Sequence, residues 1–256
     1  MRWKWPLPAL VLAMAALLPA AAARADFIVA PDVVVYCEPT LRPVLAGIAA
    51  AWRHDTGVPV HLLTSPTAAM LEQIGHRARA DLIIGESDAA AAAAAERRLI
   101  KPETRASLWR NRLVVAQAKS APAPSGDAAE RIGDGPIAIV DPPIGSAGSD
   151  SRRALAALGL WPALERRTIG TIDTADASFL LAEGRVQRAV LYASDLAAAP
   201  GLAAAASLPD TAYPPIVYWL AQTANALSAR TADFAAFLRQ PPAAERARAA
   251  GLEVLP

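Results

Sequence analysis

Between Thr64 and Asp88 the chain reads Thr-Ser-Pro-Thr-Ala-Ala-Met-Leu-Glu-Gln-Ile-Gly-His-Arg-Ala-Arg-Ala-Asp-Leu-Ile-Ile-Gly-Glu-Ser-Asp. Met70, Leu71 and Ile74 fall at helical spacing. Thr64, Ser65 and Thr67 precede them, and hydroxyl residues cap helix starts. Leu82, Ile83 and Ile84 then form the short β-branched run of a strand buried on both faces. A hydroxyl loop, a helix and a buried strand in this order restrict the fold to one that alternates the two element types. Such a loop also presents free N–H and O–H groups at the positive end of a helix dipole, where an anion binds.

The rest of the chain keeps the alternation. Strands are predicted at Val33–Cys37, 58–63, 113–116, 137–140, 189–192 and 216–221. Helices are predicted through Leu41, Val44, Leu45, Ile48 and Trp52, over the alanine run 89–95, from about Ser151, and through Phe179, Leu180 and Glu183. Two more close the chain at 232–239 and 243–250. The expected class is α/β with mainly parallel sheets. Lys119 to Gly126, rich in Pro, Ser and Ala, is predicted to cross between two lobes.

Four helix starts carry small or hydroxyl residues: Thr40, Thr67, Ser146-Ala147-Gly148 and Thr174. In open α/β sheets, ligands collect at the carboxyl ends of strands, where these loops lie. Two precede the expected crossover and two follow it. A cleft between the lobes would then be lined by helix N-termini from both sides and would bind an oxyanion without Arg or Lys. Capped helix starts are also common where nothing binds, so the loops alone leave an anion site and plain capping equally open.

The N-terminus carries an address. Arg2 and Lys4 precede the apolar run Pro6 to Leu18, and Ala23-Arg24-Ala25 is a small-x-small cleavage site. This pattern predicts a secretory signal peptide over residues 1–25, cut before Asp26, and a periplasmic protein. With no Cys at the first mature position, a lipid anchor is not expected. Removing Arg2, Lys4 and Arg24 leaves 22 basic against 24 acidic residues, a balance that attracts neither nucleic acid nor anionic membranes. Cys37 is the single cysteine, so no intrachain disulfide forms, and it reads as a small buried apolar residue. His54, His61 and His76 lack metal-ligand spacing and read as surface residues. Gly145-Ser146-Ala147-Gly148 is not a nucleophile elbow. Trp52 and Phe179 are expected in the core.

Several short pieces in order carry a resemblance. They are Val33-Val34-Val35-Tyr36-Cys37-Glu38-Pro39-Thr40-Leu41, Thr67 with Leu71-Glu72-Gln73-Ile74, and Ala80-Asp81-Leu82-Ile83-Ile84. Then follow Asn111-Arg112-Leu113-Val114-Val115, Asp141-Pro142 with Ala147-Gly148, Val190-Leu191-Tyr192 with Asp195, and Tyr213-Pro214. Nearly end to end, the mature chain resembles the periplasmic molybdate-binding proteins of ABC importers, which are type II periplasmic binding proteins. The resemblance implies a two-lobed fold with a ligand cleft between lobes, one lobe from residues 26–112 and 207–256 and the other from 113–206. It implies capture of a small tetrahedral oxyanion, molybdate or tungstate, by a monomer that delivers it to an ABC permease of the inner membrane. It implies no catalysis, cofactor or metal site, and no nucleic-acid partner. By position, the ligand residues would be Thr40 and Thr67 through their hydroxyls, Ala147 and Thr174 through backbone N–H groups, and Tyr192 through its phenol. The alternatives are a binding protein for another, protonated anion, a sensory or scaffold protein of the same fold, and, third, an enzyme.

Two departures stand out. Pro66 replaces a residue that would have an N–H to donate. Glu38 sets a carboxylate two residues before Thr40. Its side chain is expected to turn to solvent; the alternative is that it faces the anion.

Overall fold

The computed structural model describes residues 32–256, so the expected signal peptide lies outside the described residues. In chain order the elements are β1 (Val33–Cys37), α1 (Arg42–Thr56), β2 (Val60–Thr64), α2 (Thr67–Gly75), β3 (Leu82–Glu86), α3 (Asp88–Glu96) and β4 (Ala106–Asn111). Then come β5 (Leu113–Ala118), α4 (Ala128–Ile132), β6 (Ile137–Val140), α5 (Ser146–Ala157), α6 (Trp161–Leu164), β7 (Thr168–Thr171) and α7 (Thr174–Ala182). The last are β8 (Arg188–Tyr192), α8 (Ala193–Ala198), β9 (Leu202–Ser207), β10 (Ile216–Gln222), α9 (Thr231–Phe237), α10 (Pro241–Ala249) and β11 (Glu253–Val254). They build two sheets, ordered β11-β4-β10-β3-β1-β2 and β7-β6-β8-β5-β9.

β1 explains the layering of the first sheet. It lies between β2 and β3 and is buried throughout. Val33, Val35 and Cys37 join one apolar cluster, with Val44, Leu45, Ile48 and Trp52 of α1. Val34 and Tyr36 join the opposite cluster, with Met70, Leu71 and Ile74 of α2. Period-two alternation thus feeds helices on both faces. In the second sheet Leu113 and Val115 face one side while Val114 and Ala116 face the other.

The expected mainly parallel pairing is corrected to a mixed one. Among the described residues four pairings are parallel and five antiparallel. Four of the antiparallel pairs involve β5 or β10, the strands that leave and re-enter the first sheet. The crossover is also elsewhere than expected. Arg112 alone separates β4 from β5, and the return runs from β9 to β10. Tyr213 ties the two connections: its hydroxyl accepts from the Leu113 N–H at 3.0 Å and bonds the Asp210 carboxylate at 3.0 Å. Lys119 to Gly126 stays with the second sheet, where the Lys119 N–H donates to the Gly201 carbonyl at 2.8 Å.

Four short strands were not foreseen: β4, β7, β9 and β11. β9 is four alanines between Leu202 and Ser207, a composition without strand preference. Phe179, expected in the core, is 56% exposed, because α7 turns Thr174, Ala177 and Leu181 inward instead. Trp52 is buried and packs edge-on against Phe234.

α5 begins at Ser146, five residues before the expected start. Gly148 allows this. A Cβ there would sit 2.3 Å from the Val140 carbonyl oxygen, so only glycine lets the first turn press on the end of β6. Gly148→Ala is expected to lift that turn and cost about 1–3 kcal/mol. Gly145→Ala is the control, since its Cβ would meet nothing within 4 Å and its φ of −163° suits any residue. Urea melts of the two variants check this; equal midpoints would remove the close-packing account.

Candidate functional site

The carboxyl ends of β1, β3, β6 and β8 turn toward one cleft of about 300 Å³ between the two sheets. Thr40, Thr67, Ala147, Thr174 and Tyr192 all line it. The first sheet contributes the loop after β1 and the start of α2. The second contributes the starts of α5 and α7 and the end of β8. Ala147 and Thr174 lie in the first turns of their helices, where backbone N–H groups have no intrahelical partner. Asp173 caps α7 by accepting from the Asp176 N–H at 2.8 Å, which fixes that helix start against the cleft. The Tyr192 hydroxyl lies 3.4 Å from the Ser146 hydroxyl, and burial raises its pKa well above the usual phenol value, so it stays an O–H donor. No Lys or Arg is among the lining residues.

The threonine hydroxyls are engaged by carboxylates. Thr40 donates to Asp195 Oδ1 at 2.8 Å and lies 3.0 Å from the Ser194 hydroxyl. Asp195 also accepts from the Tyr192 N–H at 2.9 Å, and so joins the loop after β1 to the end of β8. Thr67 gives both its N–H, at 2.6 Å, and its O–H to a single oxygen, Glu38 Oε1. The Thr67 hydroxyl oxygen in turn accepts from the Glu86 N–H at 2.8 Å. The expectation that Glu38 turns to solvent is therefore corrected. It lines the cleft because the donors at the start of α2, 29 residues away, draw its carboxylate in.

Glu86 is the residue that sequence reasoning missed. It ends β3, is 8% exposed, and lines the cleft. Burial, and then the neighbouring Glu38 carboxylate, push its pKa up to about 8, with the Ser146 hydroxyl acting in the opposite direction. At neutral pH it is mostly a neutral acid with a proton to donate. The signal was a Glu closing an otherwise apolar strand. Ser87, which follows, holds a φ of 75°, unusual for a non-glycine residue, and its carbonyl accepts from the Trp219 indole at 3.0 Å. Burial and the Glu38 charge push the Cys37 thiol up to about 12, as suits a buried, unreactive sulfur. His54, His61 and His76 are exposed and away from the cleft.

The arrangement suits a small polar solute: N–H groups and phenolic O–H from the second sheet, carboxyl groups from the first. Comparison with known proteins agrees. Residues 33–253 match the family model described as bacterial extracellular solute-binding protein. The molybdate-binding protein ModA of Escherichia coli K12 is 25% identical over 219 residues, 83% of this chain and 85% of that one. The periplasmic molybdate-binding protein of Azotobacter vinelandii superposes with a TM-score of 0.75 at 20% identity, covering 88% of this chain and 99% of that one. The sulfate-binding protein SubI of Mycobacterium tuberculosis H37Rv superposes with a TM-score of 0.68 at 13% identity, covering 86% of each chain. The two superpositions show the shared fold.

Proposed function

The chain belongs to the bacterial extracellular solute-binding protein family, and from that premise we propose that it captures a small tetrahedral oxyanion for delivery to an ABC permease of the inner membrane. The observation that carries this reading is the convergence of Ala147, Thr174 and Tyr192 from one sheet with Thr40 and Thr67 from the other on a single cleft. Helix N-termini and a neutral phenol bind an anion with oriented dipoles, without a cationic side chain. Molybdate and tungstate are the first ligands to test, because the similar proteins named above include molybdate binders. The two lobes would comprise residues 26–112 with 207–256, and 113–206, and would close on the ligand about Arg112 and the return connection. The protein would act as a periplasmic monomer, without catalysis.

A ligand that binds only the folded state raises the melting temperature. Molybdate, tungstate, sulfate and phosphate are each expected to be scored by thermal shift, with at least one stabilising the protein. Tyr192→Phe removes one hydrogen bond to a charged partner. It is expected to weaken the best anion by roughly tenfold to hundredfold in isothermal titration. No stabilisation by any oxyanion, or unchanged affinity in Tyr192→Phe, would count against the site. A second reading, an oxyanion that carries its own proton, is favoured by the carboxylate of Glu38 beside the same donors.

A further inference from the structure

At the start of α2 the anion cradle already holds a negative oxygen. Glu38 Oε1 takes both the N–H and the O–H of Thr67. Glu38 Oε2 has no hydrogen-bond partner among the described residues, and the side chain lines the cleft together with Glu86, Ala147, Thr174 and Tyr192. A carboxylate oxygen accepts hydrogen bonds and cannot donate one. An incoming anion therefore meets N–H and phenolic donors on the second-sheet side, and on the first-sheet side it meets the Glu38 acceptor beside the Glu86 acid.

The groups around Glu38 do not relieve this. Cys37 precedes it on β1, and Glu86 on β3, Tyr192 on β8 and Tyr218 on β10 are near enough to feel its charge. Asp150 on α5 stands beyond Glu86, and Asp173 and Asp195 lie along the second-sheet wall. Arg42, on the far side of the Thr40 turn, is exposed and does not line the cleft. A fully deprotonated oxyanion has only lone pairs to set against Glu38 Oε2. One that keeps a proton has an O–H to set there.

We propose that Glu38 is a specificity-determining residue of this cleft. Its Oε2 accepts the O–H of the bound anion, so the site favours a tetrahedral oxyanion that retains a proton at neutral pH, such as hydrogen phosphate, over molybdate or sulfate. This rests on the oxyanion reading of the cleft. Such a filter works because the bound anion covers the acceptor and leaves it unpaired, and repelled, whenever the proton is missing. Glu86, neutral at the same pH, offers the anion a donor and so does not oppose it.

The test is isothermal titration of phosphate, molybdate and sulfate at neutral pH into the wild-type protein, Glu38→Gln and Glu38→Ala. The wild type is expected to prefer phosphate. Glu38→Gln keeps the size but loses the anionic acceptor; phosphate is expected to weaken roughly tenfold to hundredfold while molybdate and sulfate tighten. Glu38→Ala also frees the Thr67 donors and is expected to favour the two dianions further. Thermal melts establish that both variants fold, and the isosteric Gln variant keeps the test decisive should the Ala variant fail to. An unchanged phosphate-to-molybdate ratio, or equal tightening of all three anions, overturns the proposal while leaving the oxyanion reading intact. If none of the three anions binds any of the proteins, the oxyanion reading itself falls, and this inference with it.

Discussion

Asp81→Ala is expected to destabilise the protein by about 3–5 kcal/mol. Asp81 is fully buried and opens the turn into β3. One carboxylate oxygen accepts the N–H of Val34 at 2.8 Å. The other accepts those of Leu227 at 2.6 Å and Ser228 at 3.0 Å. One side chain thus ties β1 to the segment that leads into α9, itself 146 residues beyond Asp81 at Leu227. Truncation leaves three amides short of an acceptor in a site from which water is excluded, at about 1–3 kcal/mol each before relaxation. The melting temperature should fall by roughly 10 °C, since 1 kcal/mol moves a domain of this size by about 2–4 °C. Asp81→Asn, which keeps one acceptor oxygen, should lie between. A loss below about 1 kcal/mol in urea melts would show that the three contacts are not holding the segment.

The ligand-free protein is expected to become less stable as the pH rises from 5 to 8. Burial, which penalises its charged form, pushes the Glu86 carboxyl in the fold up to about 8 from an ordinary 4.5. Between those values the folded state binds more protons than the unfolded state, so stability falls with rising pH. The contribution is fully present below about pH 4.5 and is lost as the pH passes through about 8. Its size is on the order of a few kcal/mol. Burial also raises Glu38, Asp150 and Asp195, and each acts in the same direction. Asp32, lowered by its bond to Arg79, is half-buried and acts oppositely, as a single group against four. Glu86→Gln should flatten the profile. Denaturant midpoints measured across this range decide it; a profile that is flat or rises with pH in the wild type contradicts the burial account.

Both effects come from acidic groups whose surroundings were invisible in the sequence. Asp81 sat inside a recognised run, Ala80 to Ile84, yet nothing nearby announced that Leu227 and Ser228 would bond to it. Glu86 closes β3, and local pattern does not distinguish a strand end in solvent from one in a cleft.

The sequence by itself determined what depends on neighbours in the chain. Apolar runs such as Val33–Cys37 and Leu82-Ile83-Ile84 specified strands buried on both faces, and the spacing of Leu41, Val44, Leu45, Ile48 and Trp52 specified the inward face of α1. The order of loops and helix starts brought Thr40, Thr67, Ala147 and Thr174 together, because a strand's carboxyl end and the following helix start are fixed by connectivity, while Tyr192 is named only by the family resemblance. Tertiary structure alone decided the rest. β10 enters the first sheet from a return connection and runs against both neighbours, a direction no local pattern encodes. Composition marks the Pro-rich segment as the crossover; the chain instead passes between sheets at Arg112, where strand propensity is unbroken and only the resemblance implies a boundary. Glu38 turns inward because two donors on Thr67 outcompete solvent for its carboxylate, and that competition exists only once β1 and α2 are packed side by side.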